Sequence, residues 1–121
     1  MKKWSKSWKS SKNASKQRKY VRNAPIHIRN KFIASHLSKE LMKKHSKRSM
    51  RVRKGDKVKI MKGNFKGKTG NIERINTKKA KVYITGLEVV KKDGSKALFP
   101  INPSNLLIQE LKTGDKKRLR K

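Results

Sequence analysis

The chain has no cysteine, three prolines and only seven acidic residues among 121. Without cysteine there is neither a disulfide framework nor a cysteine-ligated zinc, two common staples of small basic domains. Apolar residues make up 32%, below the roughly 45–50% usual for globular domains, so one small core is the most this chain can build. The longest apolar stretch is residues 97–101, far short of the ~20 residues needed to span a bilayer as a helix. The opening MKKWSKSWKSSK has the charged start of a signal peptide but no apolar run behind it, so no secretion signal is expected. The acids are scattered singly, and GNFKGKTG lacks the spacing of a nucleotide-phosphate loop and opens no apolar helix. An enzyme, a cofactor and a small-molecule substrate are therefore not expected.

What the chain has is positive charge. Thirty-seven Lys and Arg against seven Asp and Glu give a formal net charge of +30. Such self-repulsion destabilises a compact state unless a polyanion neutralises it. Each neutralised phosphate releases condensed counterions, which makes nucleic acid the expected partner. An anionic membrane would want an amphipathic helix with a strong apolar face; none of useful length is present, so no membrane insertion is expected. Lys outnumbers Arg by twenty-eight to nine. Lys is a flexible point charge suited to phosphates, so recognition should rest on RNA shape more than on base edges.

Charge also divides the chain. Residues 1–50 hold sixteen Lys and Arg against one acid, residues 51–115 sixteen against six, and residues 116–121 five against none. We expect a basic N-terminal arm over 1–50, largely extended with a short helix near 38–46, a folded unit over 51–111 and a basic C-terminal tail over 112–121. Residues 1–19 are rich in Ser and Lys and should be disordered in isolation. Trp4 and Trp8 are their only large apolar groups, suited either to stacking on RNA or to packing on the neighbouring domain. Pro25 restricts Ala24 to extended conformations, so residues 23–29 read as an extended arm or tight bend. Ser38 is a good N-cap for the short helix, with Glu40 in its first turn, Lys43 and Lys44 toward its end, and Leu37 and Met42 in staple positions. His27, His36 and His45 lie nine residues apart. That is not a metal-ligand spacing, and RNA contact or packing is expected instead of a metal site.

The folded unit reads as short strands. Val58 and Ile60 face inward between outward lysines. A second strand, 70–75, has Ile72 inward and room for a bulge before Ile75. After a turn at 76–78, a third covers 79–85 with Ala80, Val82 and Ile84 on one face. Strand 87–90 leads to a tight turn at Asp93 and Gly94, and Pro100 confines the return strand 97–101 to an edge or ends it. A turn at 102–105 precedes a last strand, 106–111. Five or six short strands over about sixty residues are too few for a sandwich, so a mainly β, small, strongly bent barrel is expected.

Residues 54–72, KGDKVKIMKGNFKGKTGNI, resemble the KOW motif of SH3-like barrels in ribosomal proteins and transcription elongation factors. The flanks narrow this. Ala24-Pro25-Ile26-His27-Ile28-Arg29, Leu37-Ser38-Lys39-Glu40-Leu41, Arg48-Ser49-Met50 and Pro103-Ser104-Asn105-Leu106 resemble the archaeal and eukaryotic branch of the large-subunit ribosomal protein L twenty-four family. The match covers roughly residues 23–111, and the Trp/Ser/Lys leader and the short tail over 116–121 depart from the family pattern. The resemblance implies binding to ribosomal RNA of the large subunit, an early role in its assembly and a place near the peptide exit tunnel. It further implies neighbouring ribosomal proteins as partners, contact with factors at the tunnel, and a cytoplasmic, ribosome-bound location. The alternative is a KOW-type transcription elongation module bound to RNA polymerase, which would normally have a second domain and less basic tails. A general polycation for DNA or membranes would need no barrel.

Candidate RNA contacts in the arm are Lys12, Lys16, Arg18, Lys19, Arg22, His27, Arg29, Lys31, Lys47 and Arg48. At the junction they are Arg51 and Arg53. In the glycine-broken loop they are Lys62, Asn64, Phe65, Lys66 and Lys68. Arg22, Arg29, Arg48, Arg51 and Arg53 are the candidates for phosphate clamping. Phe65 is either a core plug or a stacking platform; the family usually carries a ring there, which favours RNA contact. Gly63, Gly67 and Gly70 supply loop geometry, each able to take positive φ or let another backbone come close.

Overall fold

Val58, Ile60, Ile72, Val82, Ile84, Leu106 and Ile108 are the buried residues of strands whose burial alternates, and packing those apolar faces against one another builds the core. A computed structural model describes residues 4–8, 10–112 and 114–119 of the chain. The elements in order are α1 (Ala14–Asn23), α2 (Ile26–Phe32), β1 (Ala34–Leu37), α3 (Lys39–His45), β2 (Ser49–Arg51), β3 (Lys57–Ile60), β4 (Thr69–Asn76), β5 (Lys81–Val90), β6 (Lys96–Ile101) and β7 (Leu106–Glu110). Short 3₁₀ turns cover Pro103–Asn105 and Lys116–Leu119.

The seven strands form one mainly antiparallel sheet in the order β2-β1-β7-β3-β4-β5-β6, which does not close. Its registers slip at Lys57/Val58, between Ile72 and Arg74, and between Tyr83 and Glu88. Each slip bends the strand and increases its twist, which curls the sheet around the core. The second slip lies where the sequence leaves room for a bulge before Ile75. Pro100 sits on β6, an edge strand. Ser95 closes the β5–β6 turn, donating its hydroxyl and its N–H to Asp93 Oδ1 at 2.7 and 3.0 Å. These bonds hold the Asp93 carboxyl below the usual carboxylate range.

The N-terminal arm is where expectation and structure part. It is not largely extended: α1 and α2 are helices, and β1 and β2 belong to the sheet, so the expected division at residue 50 runs through it. β1 pairs antiparallel with β2 through Ser35↔Met50 and parallel with β7 through Leu37↔Ile108. The inward residues of β1 are Ser35 and Leu37, both buried. Ser35 Oγ donates to the Pro103 carbonyl at 2.6 Å, a polar group satisfied inside the core that hides the strand's alternation. Residues 23–29 bend at Ala24 and Pro25, but Ile26 onward is helical. Residues 14–19, expected to be disordered in isolation, form the first part of α1, capped by Asn13 Oδ1 accepting from Ser15 N–H at 2.9 Å.

Residues 81–90 form one long strand, not two, and Ala80 precedes it in the left-handed region at φ 52°. The helix near 38–46 is α3, with Ser38 Oγ accepting from Leu41 N–H at 3.4 Å. α3 ends on Ser46 at φ 53°, a conformation an L-residue other than Gly or Asn adopts at a cost. Ser46→Gly should therefore raise stability by about 0.5–1 kcal/mol in urea unfolding.

Candidate nucleic-acid interface

Three basic regions surround the sheet. The first is the loop from β3 to β4. Gly63 and Gly67 take φ 103° and 88°, where an L side chain would be strained, and no atom lies within 4 Å of a Cβ built on either. Gly67 N–H donates to the Ile60 carbonyl at 2.8 Å and Met61 N–H to the Asn105 carbonyl at 2.7 Å, pinning the loop's base. Lys62, Asn64, Lys66 and Lys68 stand exposed around it. Phe65 is half-buried and tilted against Phe99 with ring centroids 5.1 Å apart, while Lys68 Nζ lies 5.1 Å from its ring. That ring packs on Phe99 of β6 and against the core, the arrangement expected of the core plug among its two readings. Gly70, at the far end of the loop, lets the neighbouring strand β5 come close. It lies in β4, where a Cβ would stand 2.7 Å from Ile84 Cγ2 and 3.1 Å from the Thr85 carbonyl oxygen. Gly70→Ala should cost about 1–3 kcal/mol through overpacking, seen as a lowered melting temperature.

The second region is the helical corner. α1 buries none of its residues, yet it exposes Lys16, Arg18, Lys19 and Arg22, with Lys12 just before it. It is held by aromatics. Trp8 stacks on Tyr20 at 4.4 Å between centroids, Trp4 lies 4.9 Å from the same ring, and Trp4 Nε1 donates to the Tyr20 carbonyl at 3.1 Å. Of the two readings of these tryptophans, the structure has them packed on their own chain. At the corner Ala24 is buried, and in α2 Ile28 is buried while His27 and Lys31 are exposed. Arg29 is half-buried, its Nε donating to the Ala24 carbonyl at 2.9 Å.

The third region is the junction of arm and sheet. Arg48 and Arg51 are exposed and Lys47 is half-buried. Arg53 pairs with Asp115, and its N–H donates to Asp56 Oδ2 at 3.0 Å. Its guanidinium is therefore paired within the chain while its side chain stays 44% exposed. The five arginines expected to gather do not line one site. Arg22 and Arg29 line a groove against the β4–β5 turn, and Arg51 and Arg53 line another beside Lys112 and Arg118.

Sequence reading missed two features of these regions. Lys78 and Lys79, read only as part of a turn, line the α1–α2 groove about fifty residues from the helices in the chain. Asp56 is fully buried and bound to Arg118, so the tail's 3₁₀ turn is tied to the sheet. No periodicity signals either, because both depend on contacts between distant segments. The three histidines fall on α2, β1 and α3, and among the described residues no three His, Asp or Glu side chains converge. A family model of ribosomal proteins, described as eukaryotic L26 and archaeal L24, matches residues 11–121.

Proposed function

The chain belongs to the family of ribosomal proteins that comprises eukaryotic L26 and archaeal L24, and from that premise we propose that its helical corner and β3–β4 loop bind ribosomal RNA within the large subunit. Membership makes it a ribosomal protein of translation and supports association with ribosomal RNA and other ribosomal proteins. The observation that carries the RNA interface is α1, a ten-residue helix with no buried residue and four exposed cations. A helix of that length is marginal on its own, and its charges repel one another. A phosphate backbone laid along it supplies the missing favourable term.

The bent sheet with its basic, glycine-broken loop supports an SH3-like barrel of the KOW type. The family resemblance supports action early in subunit assembly and a position near the peptide exit tunnel, with neighbouring ribosomal proteins and tunnel factors at hand. Among the described residues no helix is long and apolar enough to cross a membrane.

A binding titration against large-subunit RNA tests the polyanion contact. With some ten phosphates neutralised, log affinity should fall against log salt with a slope of roughly −7 to −9. A flat response would contradict the proposal.

A further inference from the structure

The groove between α1, α2 and the β4–β5 turn has two unlike halves. Its apolar wall is Val21, Phe32 and Ala80, with Val21 44% and Phe32 41% exposed. Around that wall stand Arg18, Arg22, Arg29, Lys78 and Lys79, and no acid lines the groove. Its volume is about 430 Å³, within the range of roughly 300–1,000 Å³ typical of pockets that hold small organic groups.

Arg29 is prepared for an anion. Its Nε bond to the Ala24 carbonyl fixes the plane of the guanidinium, and its Nη groups have no partner among the described residues. A fixed guanidinium offers two parallel donors to a phosphate with little further ordering. Ala80, which also lines the groove, holds a left-handed φ of 52° where glycine would be easier.

We propose that this groove receives one unstacked nucleotide of the bound RNA, its base against Phe32 and Val21 and its phosphate on Arg29 and the surrounding cations. The inference rests on the RNA-binding reading above and adds the kind of RNA feature the corner selects. Paired RNA brings phosphates but keeps its base faces stacked, so it would leave Phe32 and Val21 in water. An apolar side chain from a protein would cover the wall but strip water from five cations without supplying a counter-charge. A nucleotide bulged out of its helix carries both complements on adjacent atoms.

The test uses the full chain and two RNA hairpins identical except for a single bulged 2-aminopurine. We expect the bulged hairpin to bind about tenfold or more tightly than the paired one, the scale of one base stacked on an aromatic ring. The fluorescence of 2-aminopurine should change on binding. Phe32→Ser and, separately, Val21→Ser should remove that preference and leave affinity for the paired hairpin unchanged. Val21 lies on a helix with no buried residue, so this variant leaves the core alone. Equal binding of both hairpins by the unaltered protein would overturn the inference and leave general RNA binding intact, as would a preference retained in both variants. Failure to bind either hairpin would overturn the RNA-binding reading itself.

Discussion

Asp56→Ala is expected to lower the stability of the chain by about 3–5 kcal/mol, the cost of removing one partner of a buried ion pair. Asp56 is 0% exposed and the Arg118 side chain 4%. One carboxylate serves three segments. It accepts Arg53 N–H at 3.0 Å, Lys112 N–H at 2.9 Å, and Arg118 Nη1 at 2.7 Å together with Nη2. Arg118 Nη2 also donates to the Arg51 carbonyl at 2.9 Å. Removing the carboxylate strands a buried guanidinium and two backbone donors. Arg118 Nε is already buried with no partner among the described residues, so a second loss at the same side chain finds no local relief. Arg118→Met should destabilise by a similar amount because it strands the carboxylate. The double replacement should cost clearly less than the sum, since neither charge is then left alone. Urea unfolding of the four proteins measures this directly, and a loss below ~1 kcal/mol in both single variants would show that the pair is open to water.

The second large effect concerns RNA. Changing Arg18, Lys19 and Arg22 on α1 to Gln should weaken binding to large-subunit RNA roughly a hundredfold at moderate salt and make the salt slope shallower by about 2–3. A matched triple, Lys91, Lys92 and Lys96 around the β5–β6 turn, removes the same charge from residues that are equally exposed. That variant should leave the slope nearly unchanged. The comparison separates an interface from a polycation, because a chain that binds through net charge alone would respond equally to both triples. Folding should survive the α1 changes, as α1 buries none of its residues.

Much of the sheet could be read from the sequence because its strands advertise themselves in period two. Val58 and Ile60 alternate with Lys57 and Lys59, and Val82 and Ile84 with Lys81, Tyr83 and Thr85. Ser38 with Glu40 marks the start of α3 through capping chemistry that is local. β1 escaped because one of its two inward residues is Ser35, whose burial is made tolerable by the Pro103 carbonyl sixty-eight residues away. β2 is three residues long and carries one apolar side chain, Met50, too little for a pattern. α1 was hidden by its composition. Nothing on it is buried, so it shows no apolar stripe, and it is secured by Trp4 and Trp8 folding back onto Tyr20.

The candidate interface divides in the same way. The exposed cations of the loop and the arm are evident from charge alone. Which of them converge is not, since Arg18, Arg22 and Arg29 meet Lys78 and Lys79 only after the β4–β5 turn swings beside the helices. The pairing of Arg53 was hidden for the converse reason. Its partner, Asp115, is one of the few acids and lies sixty-two residues downstream.

Sedimentation of a tagged copy through a cell-extract gradient tests the central claim most directly. At moderate salt the chain should travel with large ribosomal subunits, and it should leave them as salt rises and counterions compete for the phosphates. A chain that stays at the top of the gradient at moderate salt, with its fold intact, would contradict its assignment as a structural constituent of the large subunit.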